Sequence, residues 1–360
     1  MRRKKVLIVG GVGIAGQAIV EALMRHGEIC DLYVASRGFY EIQNRGITSL
    51  RLDIHDAEAM RGAIRQFDVV VLALGPFSEV GTDVYVECLR HGIVCIDIND
   101  DYRHCRRVLE IGETTSGGQG TILTGMGLCP GMTSYMLAKA VEHLGEQPRD
   151  AHLRIYFGAG VASGRASIAN MFNAFKDEVQ VLSAGEIRNS RDVRNGLKNT
   201  FTFDETHSDL PLVYFSSPEI VTIHRSARFV SIRNFDSAFH LQHLPMWLVF
   251  LLRRSTMVRR MVIKMAGAQQ GNRDDDARNE KAVIVDASVR GQERMVSCSL
   301  RSDSSYRLTG VFCASMLVLL IRGDLSVGSG VYCFEDLDVG LDVLDDLLSE
   351  YEVNVSVKTN

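Results

Sequence analysis

The chain of 360 residues lacks the features that mark several large classes of protein. Its formal net charge is only −4, so the overall charge does not favour nucleic acid as a partner. The basic start MRRKK leads directly into a strand-like run at Val6 and not into the apolar segment of a signal peptide. We therefore expect a cytoplasmic protein that is not exported and does not bind nucleic acid.

The sequence also lacks the spacings of common metal and disulfide sites. None of the eight cysteines forms a C-x-x-C pair, and neither H-x-x-x-H nor H-E-x-x-H occurs. Most of the cysteines stand in apolar runs, which is typical of buried, reduced thiols. We expect neither a disulfide framework nor a bound metal.

No apolar run reaches the length of about 20 residues that a bilayer-spanning helix needs. The two main candidates are Leu244–Leu252, which precedes several arginines, and Val311–Ile321. We expect no transmembrane segment. For residues 244–265 three alternatives stay open: a buried core helix, a contact between subunits, or a helix that lies on a membrane surface.

Strand-like and helix-like segments alternate over the first part of the chain. This alternation predicts an α/β fold with a Rossmann-type, doubly wound parallel sheet in residues 1–131. After Gly131 the pattern changes to half-buried strands and a hairpin at Gly291, which predicts a second, α+β domain with an antiparallel sheet over residues 132–308. Residues 309–350 are expected to return to the first domain. We expect the second domain to bind substrate and to form a homodimer.

The segment Val6–Gly16 carries the clearest functional signal. A short β-branched run ends at Val9, and glycines follow at three-residue spacing, with a G-x-G-x-x-G pattern overlapping them. Such glycines allow a tight turn, close approach of backbone to a pyrophosphate and close packing of a helix on a strand. The helix start then offers unpaired N–H groups to phosphate. The predicted dinucleotide contacts are Gly10, Gly11, Val12, Gly13, Ile14, Ala15 and Gly16.

The end of the second predicted strand indicates which dinucleotide is preferred. Enzymes that use NAD usually place Asp or Glu there, to bind the ribose 2′-hydroxyl. This chain has Ser36 and Arg37 instead, which suit a 2′-phosphate. We therefore predict NADP(H). Asp53, after the third strand, either accepts from the adenine amino group or only caps a helix.

Further candidates follow the later strands, at the edge where such sheets bind ligands. They include two acidic residues, of which Asp97 either accepts from a substrate amine or holds the loop that does. Arg165, near the start of a predicted helix, is a candidate contact for a substrate carboxylate. The remaining residues predicted at this edge are Leu74, Gly75, Pro76, Phe77, Asp100 and Gly131.

Three segments have a spacing that is similar to that of a known family. The first is Gly75-Pro76-Phe77 with Gly81, Val84, Cys88, Gly92 and Asp97 after it; the second is Gly127-Leu128-Cys129-Pro130-Gly131-Met132. A looser third is the helical run Thr309–Ile321 with Gly323, Gly328 and Glu335 after it. Together they resemble the saccharopine dehydrogenase (glutamate-forming)-like reductases.

The resemblance implies reduction of an imine, or oxidation of a secondary amine, with NADP(H) and a small amino-acid-like substrate. Cys129 stands where many members carry Asp, so the role of that carboxylate and a saccharopine substrate do not transfer. The glycine motif alone also fits a non-catalytic dinucleotide-binding protein with a regulatory or membrane-associated role. The retained Gly75–Phe77 and Pro130–Gly131 loops favour an enzyme, because binding alone needs no shaped nicotinamide edge.

Overall fold

The computed structural model describes residues 3–38, 46–114, 117–158, 178–191, 200–242, 257 and 282–359. The chain divides into two compact units. The first consists of Met1–Tyr135 and Tyr306–Asn354, and the second of Met136–Ser305 and Val355–Asn360. Each unit therefore contains two separate segments of the sequence.

The first unit is built on a seven-stranded sheet in which every neighbouring pair is parallel. Its order is β16-β6-β5-β4-β1-β2-β3, so the chain changes direction between β1 and β4. The central strand β4 is buried throughout, as expected for a parallel sheet covered on both faces. The strands are β1 (Lys4–Val9), β2 (Cys30–Ser36), β3 (Ile47–Arg51), β4 (Val69–Leu72), β5 (Val94–Asp97), β6 (Thr121–Leu123) and β16 (Gly330–Tyr332).

Helices follow the strands of this sheet as the alternation predicted. Asp56 caps the second helix by accepting from the backbone N–H groups of Glu58 and Ala59. The first helix ends at Met24, with Arg25 as its C-cap. The helices are α1 (Ile14–Met24), α2 (Ala57–Ile64), α3 (Asp83–Arg90), α4 (Tyr102–Thr114), α5 (Met132–Leu144), α7 (Ser305–Arg322) and α8 (Leu341–Glu350).

Helix α7 brings the later part of the chain back to the first unit. Gly310 lies so close to α1 that an added Cβ would overlap the backbone of Ala18. The helix is longer than the apolar run Val311–Ile321 suggested. By length and composition alone it could cross a membrane, but 61% of it is buried inside the protein, as in a core helix.

The second unit contains an eight-stranded mixed sheet, whose main path has the order β17-β15-β14-β7-β13-β8-β9, with β12 paired to β13. Most of helix α5, a separate two-stranded pair and helix α6 (Glu219–Arg225) complete its described elements. The strands are β7 (Asp150–Phe157), β8 (Gln180–Ser183), β9 (Glu186–Asn189), β10 (Thr200–Phe201), β11 (Leu210–Pro211), β12 (Val213–Phe215), β13 (Asn234–Leu241), β14 (Val283–Arg290), β15 (Met295–Ser302) and β17 (Ser356–Thr359).

Several details of the second unit differ from the sequence-based expectation. The hairpin of β14 and β15 is confirmed, but β13 runs parallel to β7, so the sheet is mixed and not wholly antiparallel. Residues 229–232 form a turn, and residues Gln180–Ser183 form strand β8. Strands β16 and β17 were not predicted from the sequence. Each is short and is a strand only because it pairs with another strand that is distant in sequence.

Candidate functional site

The loops after β1, β4, β5 and β6 open at one edge of the first sheet, because these strands are parallel neighbours. The change of direction between β1 and β4 is the topological switch point at which such sheets bind ligands. The two loops at this point touch: a Cβ added to Gly10 would overlap the carbonyl oxygen of Ala73. The edge is therefore the candidate site of the first unit.

The three spaced glycines have different structural roles. Gly10 has a φ of +84°, which favours glycine, and starts the turn. Gly16 packs helix α1 against this turn so closely that an added Cβ would overlap the carbonyl oxygen of Gly10. At Gly13, in contrast, only that oxygen, at 3.2 Å, would lie within 4 Å of an added Cβ. The turn is thus closely packed at Gly10 and Gly16 and open at Gly13, where a phosphate would approach.

The start of helix α1 is suited to an anion. Gly13 is the N-cap, no side chain caps the helix, and its first turn contains no acidic residue. Backbone N–H groups and the helix dipole are therefore available to a phosphate. Of the predicted contacts, Gly13 and Ile14 are exposed, Gly10, Val12 and Ala15 are half-buried, and Gly11 and Gly16 are buried.

The ends of β2 and β3 carry the predicted adenosine contacts. Ser36 is half-buried and donates its hydroxyl hydrogen to the carbonyl oxygen of Gly38 at 2.8 Å. Arg37 is exposed, and no hydrogen bond or ion pair joins it to another residue within the described part of the chain. Asp53 is also exposed and accepts from the backbone N–H of His55. Its alternative role as a helix cap is wrong, because Asp56 caps α2.

The loop after β4 is anchored by one of its predicted ligand contacts. Gly75 is exposed, Leu74 and Pro76 are half-buried, and the Gly75–Pro76 peptide bond is cis. Phe77 is buried, with its ring centroid 5.7 Å from that of His104. The Phe77 side chain is therefore part of the core and holds the loop in place, and its contact with the cofactor stays a prediction.

Asp97 lies at the end of β5 and is completely buried. Its Oδ1 accepts from the backbone N–H groups of Asn99 (2.9 Å) and Gly125 (2.7 Å) and from the hydroxyl of Thr124 (3.1 Å). Its Oδ2 accepts from the hydroxyl of Tyr85 at 2.8 Å. Burial raises the pKa of this carboxyl group, although the hydrogen bonds oppose the rise. Asp97 thus ties helix α3 to the loops after β5 and β6.

His104 extends this buried network. Its Nδ1 lies 3.0 Å from Nδ2 of Asn99, and burial lowers the pKa of the imidazole. The neutral ring therefore accepts from the Asn99 amide at Nδ1. Four residues of this network were not predicted from the sequence: Tyr85, Asn99, Thr124 and His104. Nothing in their local sequence distinguishes them from ordinary core or loop residues. They belong together only because three of them donate to Asp97 and His104 contacts Asn99.

The other predicted residues lie in different environments. Asp100 is exposed, next to the buried Asn99. Gly131 is buried, has a φ of +109°, and an added Cβ would lie 2.6 Å from the carbonyl oxygen of Gly127. It forms a tight turn, and its contact with the cofactor stays a prediction. Arg165 lies outside the described residues. Among the residues that are described, no three or more His, Cys, Asp or Glu side chains could hold a metal ion.

Comparison with known proteins connects this geometry to a family. Residues 6–119 match the family model described as the saccharopine dehydrogenase NADP binding domain. A phenylcoumaran benzylic ether reductase (TP7) from Nicotiana tabacum is 36% identical over 83 residues, which cover 20% of this chain and 27% of that protein. The chain thus matches only about a quarter of the length of this curated relative.

Two solved structures share the fold over the whole chain. Apo saccharopine dehydrogenase (L-Glu forming) from Saccharomyces cerevisiae is 12% identical with a TM-score of 0.70, covering 99% of this chain and 100% of that one. Homospermidine synthase from Legionella pneumophila, in complex with NAD, is 11% identical with a TM-score of 0.64. The match covers 100% of this chain and 92% of that one. These likenesses confirm the predicted fold class.

Proposed function

Because the chain belongs to the saccharopine dehydrogenase-like family through its NADP binding domain, we propose that it is an NADP(H)-dependent oxidoreductase. The reaction proposed is the reduction of an imine, or the oxidation of a secondary amine, in an amino-acid-derived substrate. The nicotinamide cofactor supplies the hydride when bound. The chain binds and orients the cofactor and supports the loops around it.

The observation that carries the cofactor assignment is the end of β2. Ser36 is the last residue of the strand, and Arg37 follows it and is exposed. A guanidinium group suits the 2′-phosphate that distinguishes NADP from NAD. The absence of Asp or Glu at this position removes the usual acceptor for a 2′-hydroxyl.

Three features of the first unit support the remaining cofactor contacts. The pyrophosphate is proposed to lie over Gly13 and the start of α1, where the backbone is open and no acidic side chain repels it. The loop Leu74–Phe77 is proposed to border the nicotinamide. Phe77 and the hydrogen bonds to Asp97 hold this loop and its neighbours in place, so that little ordering is needed on binding.

The test is a titration of NADPH and NADH into the wild-type protein and the Arg37→Ala variant. NADPH should bind more tightly than NADH. The substitution should weaken NADPH binding by about 1–3 kcal/mol, the scale of one charge-assisted hydrogen bond, and leave NADH binding almost unchanged. Arg106→Ala is the matched control, since Arg106 is exposed on helix α4. Equal or tighter binding of NADH to the wild type would contradict the NADP(H) assignment.

A second experiment separates an enzyme from a binding protein. NADPH consumption is measured at 340 nm with imines formed from a 2-oxo acid and an amino acid. Consumption that requires both partners supports the proposed reaction. Tight NADPH binding without consumption in any such mixture would favour the alternative, a non-catalytic dinucleotide-binding protein.

A further inference from the structure

The mixed sheet of the second unit has a row of polar side chains on one of its faces. In β7 the residues alternate, so that Leu153 points to the opposite side from His152 and Arg154. The strand register places Asp236 of β13 beside His152, and Asp286 of β14 beside Arg154. We call His152, Arg154, Asp236 and Asp286 the polar cluster.

Within the polar cluster, Arg154 and Asp236 neutralise each other. Nη2 of Arg154 lies 2.5 Å from Oδ1 of Asp236, and both side chains are buried. Oδ2 of Asp236 lies 2.7 Å from Nδ1 of His152. Burial alone would raise the pKa of Asp236, but the hydrogen bond from His152 and the charge of Arg154 outweigh it and hold the pKa low.

This arrangement determines which nitrogen of His152 can take a ligand. With Asp236 ionised, Nδ1 of His152 is the donor to the carboxylate, so in the neutral ring Nε2 is an acceptor. The His152 side chain is 33% exposed, which leaves room for a partner at its outer edge. A carboxylate that fixes the orientation of a histidine in this way is a common feature of functional sites.

Asp286 differs from Asp236 because no hydrogen-bonded partner neutralises its charge among the described residues. Within the described part of the chain, no hydrogen bond or ion pair satisfies its carboxylate. Burial raises its pKa to about 6, although the positive charges of Arg154 and Lys358 oppose the rise. The side chain of Asp286 is only half-buried, so its carboxylate can accept from a ligand that comes from the solvent side.

We propose that Asp286 and Nε2 of His152 together form a binding site for a protonated amine. The two residues are diagonal neighbours on adjacent strands, since Ser288 lies opposite His152 and Asp286 precedes it by two positions. Such neighbours stand about 7–8 Å apart at the backbone. An ammonium nitrogen between the side chains can donate to both at ordinary hydrogen-bond lengths. The inference rests on the proposed function in one respect: the amine would be part of the substrate.

The hydrogen-bonding groups of the site favour a cation over an anion, because the carboxylate of Asp286 and Nε2 of the neutral His152 are both acceptors. The charges of the polar cluster, one positive from Arg154 and two negative from Asp236 and Asp286, sum to −1 when His152 is neutral, and Lys358 of β17 adds a positive charge that acts on Asp286. A metal ion is less suitable, because only one carboxylate and one imidazole nitrogen are available. Other titratable or charged groups on these and the neighbouring strands are Tyr156, Tyr214, His240, Arg301 and Lys358, with Asp204 and His207 beside them.

The test uses isothermal titration of the full chain with 1,5-diaminopentane at pH 7.5, and with 1,5-pentanediol as an uncharged ligand of the same length. The diamine should bind the wild type, and the diol should not. Asp286→Asn should weaken diamine binding at least tenfold, and His152→Gln should weaken it less. Asp303→Asn makes the same change of charge at an exposed position of the second unit and should leave binding unchanged.

A second measurement uses the wild-type protein, which keeps the carboxylate of Asp286. Diamine affinity of the wild type should fall about tenfold for each pH unit below about 6, as Asp286 takes up a proton, and stay level above it. The same fall should persist in His152→Gln. Equal binding by the diol, unchanged binding in Asp286→Asn, or a pH-independent affinity would overturn the inference.

NADPH is titrated into the same samples to separate this inference from the proposed function. Loss of diamine binding in Asp286→Asn with unchanged NADPH affinity supports the amine site. A wild type that binds NADPH but no diamine contradicts the amine site alone. A wild type that binds the diamine but no NADPH contradicts the proposed function and leaves the amine site supported.

Discussion

The two sheets of this protein present their candidate sites in different ways. In the first unit the site is made of loops beyond the strand ends, and its functional groups are mainly backbone atoms at glycines such as Gly10 and Gly13. In the second unit the polar cluster lies on the strands themselves and consists of side chains. A site made of backbone requires particular residues at fixed spacing, whereas a site made of side chains requires only a register between strands.

Two aspartates, Asp97 and Asp286, show the same contrast in energetic terms. Asp97 accepts four hydrogen bonds, which offset the loss of solvation of its carboxylate. Asp286 has none within the described residues, and burial raises its pKa to about 6. We interpret Asp97 as a group that stabilises the fold around a site, and Asp286 as a group that lowers stability in order to bind.

The largest effect is expected from Asp97→Ala. The substitution removes the acceptor of two buried backbone N–H groups, those of Asn99 and Gly125. Each unsatisfied buried donor costs about 1–3 kcal/mol, so the free energy of unfolding should fall by about 2–6 kcal/mol. Chemical denaturation measures the loss, and NADPH titration should show weaker binding, because the loops are no longer held.

Asp97→Asn is the matched variant for this prediction. An amide oxygen in the place of Oδ1 can still accept from both backbone N–H groups, and the Tyr85 hydroxyl can turn to accept from the amide. The loss of stability should therefore be much smaller. If the two variants retained full stability and cofactor affinity while turnover alone fell, Asp97 would contact substrate and the comparison of the two aspartates would fail.

A smaller effect is expected from Gly16→Ala. The added methyl group overlaps backbone atoms of Gly10 and Gly11, which cannot move as a flexible side chain would. Overpacking of this kind costs typically 1–3 kcal/mol, and we expect about 3 kcal/mol together with a loss of NADPH binding. Gly62→Ala is the control: it lies in helix α2 with no atom within 4 Å of the added Cβ, so stability should rise by about 0.5–1 kcal/mol. A stable, NADPH-binding Gly16→Ala would show that the motif does not shape the turn.

Much of the first unit could be predicted from the sequence, because its signals are local. The alternation of strands and helices that predicted its parallel sheet is present from β1 to β6. Strand β4 is an uninterrupted apolar run, as parallel strands are. The short strands β16 and β17 could not be found in this way, since each is defined by pairing with a strand far away in sequence.

Prediction of the candidate sites from local sequence has the same limit. The roles of Gly10 and Gly16 follow from spacing, whereas Phe77 was placed at the ligand and proves to be buried under the loop. The sequence of a loop does not reveal which of its side chains point inward. The partners of Asp97, and the polar cluster as a whole, depend on contacts between residues from separate strands and helices. No local pattern in the sequence contains that information.

The smallest effect is expected on the free energy of unfolding of Asp286→Asn as a function of pH. This measurement also tests the contrast between the two aspartates most directly. The carboxyl pKa is about 6 in the folded protein and about 3.8 when unperturbed, so the unfolded chain loses the proton first. The free energy of unfolding of the wild type should therefore decrease as the pH rises from about 4 to about 6. The variant cannot ionise, so its stability relative to the wild type should be unchanged at pH 4 and higher by about 1–2 kcal/mol above pH 6, after allowance for partial exposure. Denaturation of both proteins at pH 4, 5, 6 and 7 measures the difference. A variant that is less stable than the wild type at pH 7 would show that Asp286 supports the fold as Asp97 does, and the distinction between the two aspartates would be lost.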